Sequence, residues 1–224
     1  MKTKIILIVL FMIANLYSQV REIKSISFLS QGDFEVNFST NLGAAFSSYG
    51  STNTSKSFNF YDSTYSTYTY SSDHSSRDFL LLFSASIGYY FIDGLSFEPE
   101  FDLNLITDDE ISVSILANLT YNIRTSSHKA NPYIKLGYGL SNYITNYNYY
   151  GVRSDNSLDT KVFNAALGIK LAYTPWSVMR LELNYKYFSN SNSYSYSDPY
   201  IQTSIETESS IDALSIAFGY SILF

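Results

Sequence analysis

The sequence predicts an all-β fold: a closed antiparallel transmembrane β-barrel of about eight strands with long extracellular loops, preceded by a cleaved signal peptide. Three observations predict it. The residues from 214 to the end alternate strictly, with Leu214, Ile216, Phe218, Tyr220, Ile222 and Phe224 on one face and small residues on the other. The same two-faced pattern recurs along the chain, and 22 Tyr and 16 Phe with only 15% charged residues favour strands. Finally, no segment has the roughly 18 consecutive apolar residues of a helical span, so a membrane could be crossed only by strands. The mean hydropathy of −0.05 fits a lipid face averaged with a wet one.

Taken in order, Lys2 and Lys4 precede an apolar run over 5–14, which reads as the n- and h-regions of a secretory signal covering 1–18. Removing it takes away two lysines and no acid, so the formal charge of −6 becomes still more negative and disfavours nucleic acid as a partner. No Cys follows the h-region, which excludes a lipid anchor on cysteine. A short periplasmic linker over 19–31 leads into a barrel over 32–224.

The first strand runs from Phe34 through Val36, Phe38 and Leu42 to Phe46, alternating with Glu35, Asn37 and Asn41. The second carries Phe79, Leu81, Phe83, Ile87 and Phe91, and Asp93-Gly94 then signals a two-residue hairpin. In the third, Leu95, Phe97, Phe101 and Leu103 alternate with Glu98, Glu100 and Asp102, so acids and apolar groups occupy opposite faces. Further strands follow over 111–123, 134–140, 163–173 and 179–187, and the terminal one completes an even number with both chain ends on the periplasmic side. Pro99 conflicts with its strand and predicts a bulge or a broken ladder bond.

Short connections at 93–94 and 174–177 belong to the periplasmic end, and the polar tracts near 48–77, 144–160 and 190–210 to the outside. Aromatic residues should form two girdles. The inner one is drawn from Phe34, Phe91, Phe97, Tyr121, Tyr133, Tyr173, Trp176 and Phe224, the outer from Phe46, Tyr49, Phe79, Tyr143, Phe163 and Tyr187.

Inward positions at similar heights bring Glu35, Glu98, Glu100 and Glu182 towards Lys135, Lys170 and Arg180, with Asp102 and Lys186 higher. An eight-stranded barrel is only wide enough for its side chains to fill, so these charges should pair as a structural plug. A water-filled porin would need about 16 strands. Gly137 and Gly139 read as small inward residues that make room. With two histidines, His74 and His128, and no Cys, the chain offers no zinc ligand set, no catalytic triad and no cofactor motif.

On these residues the chain resembles the small outer-membrane β-barrel family of the OmpX/OmpA type. The likeness is carried by the Gln-Gly-Asp-Phe-Glu-Val run at 31–36, the segment 88–97 around the first inner turn, and the terminal Phe224. It implies an outer-membrane location in contact with lipid, and insertion by the barrel assembly machinery, which would read Ile216, Phe218, Tyr220, Ile222 and Phe224. The expected function is non-enzymatic: structural, or surface-interacting with an extracellular protein through the Tyr- and Ser-rich loops at 48–77 and 190–210. Two alternatives stand beside it. One is a lipid-modifying enzyme using His74, and the other a soluble lipocalin-like barrel, which would need an apolar lumen rather than one bearing Glu98, Glu100 and Asp102.

Overall fold

The computed structural model describes residues 29–59, 64–106, 111–125, 130–142, 160–174, 176–197 and 201–224. The expected signal segment, most of the linker, His128, Tyr143 and the outer tract at 144–159 lie outside the described residues. Eight strands follow in chain order: β1 (Phe34–Asn59), β2 (Thr64–Ile92), β3 (Leu95–Ile106), β4 (Ile111–Asn122), β5 (Ala130–Ser141), β6 (Thr160–Thr174), β7 (Ser177–Ser197) and β8 (Ile201–Leu223). Each pairs antiparallel with its chain neighbour, and β8 pairs back onto β1 from Glu35↔Leu223 to Ser57↔Ile201. The strands therefore form a ring.

Alternation along each strand sorts the side chains. Every strand places large apolar residues outside, among them Phe38, Phe83, Phe101, Leu119, Leu136, Leu167, Leu183 and Phe218, all exposed. Their neighbours point inwards and are buried: Asn37 on β1, Ser84 on β2, Asp102 on β3, Asn118 on β4, Lys135 on β5, Asn164 on β6, Asn184 on β7 and Ser215 on β8. This inverts the usual arrangement of a water-soluble protein, whose largest exposed apolar patch covers roughly 300–600 Å².

The tracts at 48–77 and 190–210 read as polar outer loops into which the strands continue, from the partial alternation at Phe58 and Phe60 and at Tyr68 and Tyr70, and the structure carries the pairing far through them. β1 and β2 stay paired as far as Asn59↔Thr64, and β7 and β8 as far as Ser197↔Gln202. The reason is that β-pairing requires the period of two and not an apolar face. In these segments Ser and Thr sit opposite one another and bond across the strands, as in Ser47–Ser76 (2.6 Å) and Ser51–Ser72 (3.1 Å). Two long hairpins thus project beyond the four shorter central strands.

At the opposite end the β2–β3 and β6–β7 connections are tight. Gly94 takes φ +76° in the β2–β3 turn, a conformation that favours glycine. Its N–H donates to the Leu29 carbonyl (3.0 Å), and its own carbonyl accepts from the Asn122 N–H (2.7 Å). Gly32, at φ +97°, donates its N–H to the Tyr90 carbonyl (2.7 Å), so residues 29–33 are tied to the base of the ring.

Pro99 breaks the ladder without a bulge. Between Ser86↔Glu100 and Tyr89↔Phe97 the pairing with β2 lapses and then resumes in the same register, while Pro99↔Ala117 is kept on the β4 side. The register shift between β2 and β3 falls instead between Tyr90 and Ile92, beside the turn.

One girdle assignment is overturned. Tyr133 is 1% exposed and points into the ring, because β5 alternates with Ile134, Leu136 and Tyr138 outside. A substitution on the outer face tests the two-faced reading. Arginine in place of Leu136, at mid-strand on β5, should cost ~2–4 kcal/mol of folding free energy in bilayers. Arginine at Thr69 in the projecting hairpin should change it by less than about 0.5 kcal/mol, both read from urea titration of liposome-refolded protein.

Candidate functional site: the luminal charge network

The ring interior collects nine charged side chains from five strands, each at most 4% exposed: Glu35 from β1, Glu98, Glu100 and Asp102 from β3, Lys135 from β5, Lys170 from β6, and Arg180, Glu182 and Lys186 from β7. In such a place an isolated charge would cost several kcal/mol, so partners decide whether the arrangement can exist. Each of the four bases touches at least two carboxylates.

The chain of contacts is continuous. Lys170 Nζ lies 2.6 Å from Glu35, and Arg180 bridges Glu35 (3.3 Å), Glu98 (3.3 Å) and Glu182 (3.2 Å). Glu182 accepts from Lys135 (2.9 Å), which also reaches Glu100 (3.2 Å). Lys186 then links Glu100 (3.0 Å) with Asp102 (2.5 Å). Arg180 is the branch point, since its fork spans three carboxylates from three strands.

Two tyrosines complete the end nearest the turns. Tyr90 donates its hydroxyl to Glu35 (2.6 Å) and accepts from Lys170 (2.7 Å). Tyr133 accepts from Arg180 Nε (3.1 Å), and its ring lies 4.9 Å from the Arg180 guanidinium carbon and 5.3 Å from Lys170 Nζ. The Tyr133 ring occupies the space above Gly168, where any Cβ would run into it. Asparagine carries the network onto β4, which brings no charge: Asn118 donates to Glu100 (3.1 Å) and accepts from Asn164 of β6 (2.8 Å). A Cβ at Gly137 would strike Asn118, so this glycine holds the room the amide occupies.

Towards the long hairpins the interior changes character. Ala45, Leu80, Leu82, Leu116, Val162, Phe188, Ile211 and Ala213 form one buried apolar cluster. Polar residues below and apolar residues above fill the ring in tiers. The charged members are visible in the sequence as inward positions, and the alternation of Phe79, Leu81, Phe83 and Phe91 likewise turns Leu80, Leu82 and Tyr90 inwards. Tyr133 is not visible, because it looks like a member of an aromatic girdle, and Phe188 adjoins Tyr187 where the alternating run ends.

The remaining residues of interest are separated from this network. His74 lies on the projecting part of β2, opposite Tyr49. Ile216, Phe218, Tyr220, Ile222 and Phe224 lie along the outer side of β8 and its end, with Phe218 59% and Phe224 72% exposed. Among the described residues no group of three or more His, Cys, Asp or Glu is arranged to hold a metal ion.

No protein-family model and no curated protein matches the chain. Solved structures similar to it include the N-terminal β-barrel domain of OprF from Pseudomonas aeruginosa, at 14% identity over 80% of this chain and 97% of that one, with TM-score 0.42. OprG, also from Pseudomonas aeruginosa, is 13% identical over 91% and 99%, with TM-score 0.45. Neisserial surface protein A is 18% identical over 80% and 97%, with TM-score 0.38.

The branch-point role of Arg180 has a measurable consequence. Arg180→Met takes from Glu98 its nearest cation, leaving Lys170 at 4.0 Å, and should lose ~3–5 kcal/mol in urea unfolding. Lys186→Met should lose more on its own than together with Asp102→Leu, because the double change removes both members of a buried pair. A loss in the double variant equal to the sum of the two single losses would mean that the Lys186–Asp102 contact is not coupled.

Proposed function

We propose that the chain is an integral outer-membrane β-barrel protein of the OmpX/OmpA type, without enzymatic activity, whose lumen is a structural plug and whose projecting hairpins are its contact surface. The observation that carries this reading is the belt of large apolar side chains around the outside of all eight strands, next to an interior packed with paired charges. Such a molecule has its polar and apolar sides reversed for water and correctly disposed for lipid. The shortest strands, of 12 residues, suffice for a tilted crossing that needs about 9–11.

Within this reading, residues 1–18 direct export. The outer side of β8 with Ile216, Phe218, Tyr220, Ile222 and Phe224 is the segment recognised by the assembly machinery. The interior supports a plug over a pore or a ligand cavity: nine interlocked charges and a buried apolar tier occupy the space that a conducting path or a lipocalin-like ligand would need. The hairpins at 48–77 and 190–210 offer Tyr, Ser and Thr, residues suited to adaptable protein contacts.

Membrane fractionation with a heat-shifted gel band tests the location, and a soluble protein without a shift would contradict it. In planar bilayers the refolded protein should give no steady conductance. His74→Ala should leave lipid A unchanged by mass spectrometry, whereas a lost modification would turn the reading towards an enzyme. Deleting 51–71 should leave the barrel folded while lowering adhesion to host-protein-coated surfaces.

A further inference from the structure

Just beyond the apolar belt, the outer face of the four projecting strands changes chemistry in ordered rows. The register sets Phe46 beside Arg77 and Asp212, with Tyr187 next to Asp212. One step further out, Ser75, Ser48, Ser210 and Ser189 stand side by side on β2, β1, β8 and β7, and Ser48 and Ser210 share a hydrogen bond of 2.8 Å. The next row reads Asp73, Gly50, Glu208. A cavity of about 690 Å³ opens over these rows, its lining including Tyr187, the four serines and both carboxylates.

We propose that this cavity binds a neutral, polyhydroxylated saccharide. Its volume falls in the range of small-ligand sites, ~300–1,000 Å³. Asp73 and Glu208 are exposed acceptors on either side of a residue without a side chain, placed to take hydrogen bonds from neighbouring sugar hydroxyls. Bonds of this kind to a carboxylate are about twice as strong as neutral ones. The serines can both donate and accept, which matches hydroxyl partners that do the same. Half-buried Tyr187 adds a ring at the belt side of the cavity.

Gly50 keeps the space open. A Cβ there would lie 3.2 Å from Asp73 Oδ1 and 3.9 Å from the Glu208 carbonyl, so a larger side chain would fill the gap between the two acids. The lining holds two acids and no lysine or arginine, which disfavours a phosphate or carboxylate ligand and favours an uncharged one. The sugar could be presented by a glycolipid head group, since the rows begin where the apolar belt ends, or arrive as a free oligosaccharide. The first source rests on the membrane location proposed above, and the chemistry of the site does not.

The test uses the full chain refolded in a detergent without a sugar head group, followed by backbone amide NMR during addition of maltose or of dodecyl maltoside. Saturable shifts at Ser48, Ser75 and Ser210 are expected. Shifts with maltoside alone assign a lipid-borne source, and shifts with both assign a site that also takes free sugar. Gly50→Phe should abolish them, and Asp73→Asn with Glu208→Gln should weaken Kd by about tenfold or more, while the heat-shifted gel band of each variant reports an intact barrel. No saturable shift with either sugar, an unchanged response in Gly50→Phe, or a response to choline without one to maltose would each overturn the proposal. A protein that fractionates as soluble yet binds maltose would sink the membrane location and keep the site. A membrane-bound protein that ignores both sugars would do the reverse.

Discussion

The hydrogen bonds between β1 and β8, running from Glu35↔Leu223 to Ser57↔Ile201, leave the short central part of the sheet without an edge. That pairing makes the rest of the structure possible. An open sheet in hydrocarbon would leave rows of N–H and C=O groups unpaired, at several kcal/mol each. Once the ring is complete, the backbone is satisfied internally and only the side chains need to match their surroundings. The period of two then sends one set outwards and the other inwards on every strand.

Ring size sets the second constraint. Eight strands enclose a space that side chains fill, so whatever faces inwards must pack and pair. Here β3 and β7 carry six of the nine charges, and β8 answers with small residues such as Ser215, Ala217 and Gly219. Long cations can therefore cross the interior to their partners. Arg180 ties three strands together, and Tyr133 and Glu98 fit beside it because Gly168 and Gly88 leave room for them. Nearer the hairpins the same space holds Leu80, Leu82 and Phe188, and polar pairing gives way to apolar packing.

Much of this was legible in the sequence wherever inward and outward residues differ in kind. On β3, Phe97, Phe101 and Leu103 against Glu98, Glu100 and Asp102 leave one arrangement open, and the strand boundaries come out within one residue. Legibility fails where both faces carry the same kind of residue. At Leu80, Leu81 and Leu82 residue type is uninformative, and only the longer run Phe79, Leu81, Phe83 sends Leu81 outwards and its neighbours inwards. The Tyr, Ser and Thr of 48–77 show strand continuation only as partial alternation and hide how far the pairing runs, because hydroxylic residues suit a loop and a water-facing strand equally. Tyr133 was misassigned because a tyrosine is at home in a girdle or on a buried cation, and its place was settled by Gly168 across the ladder. The charge network was legible as a set of inward residues, but its pairing depends on how the strands stagger around the ring.

The central claim is that one side of each strand meets lipid and the other a sealed interior. The chain contains no cysteine, so single cysteines can be placed without altering a native thiol. With a fluorophore at 134, 136, 138 or 140 on β5 of liposome-refolded protein, lipid-borne quenchers should act strongly and water-soluble ones weakly. Cysteines replacing the buried inward Ser84, Ser86 and Ser215 should resist labelling by a water-soluble thiol reagent until the protein is unfolded. Ready labelling at 84, 86 and 215 in the folded protein, or quenching from water along the β5 positions, would contradict the account.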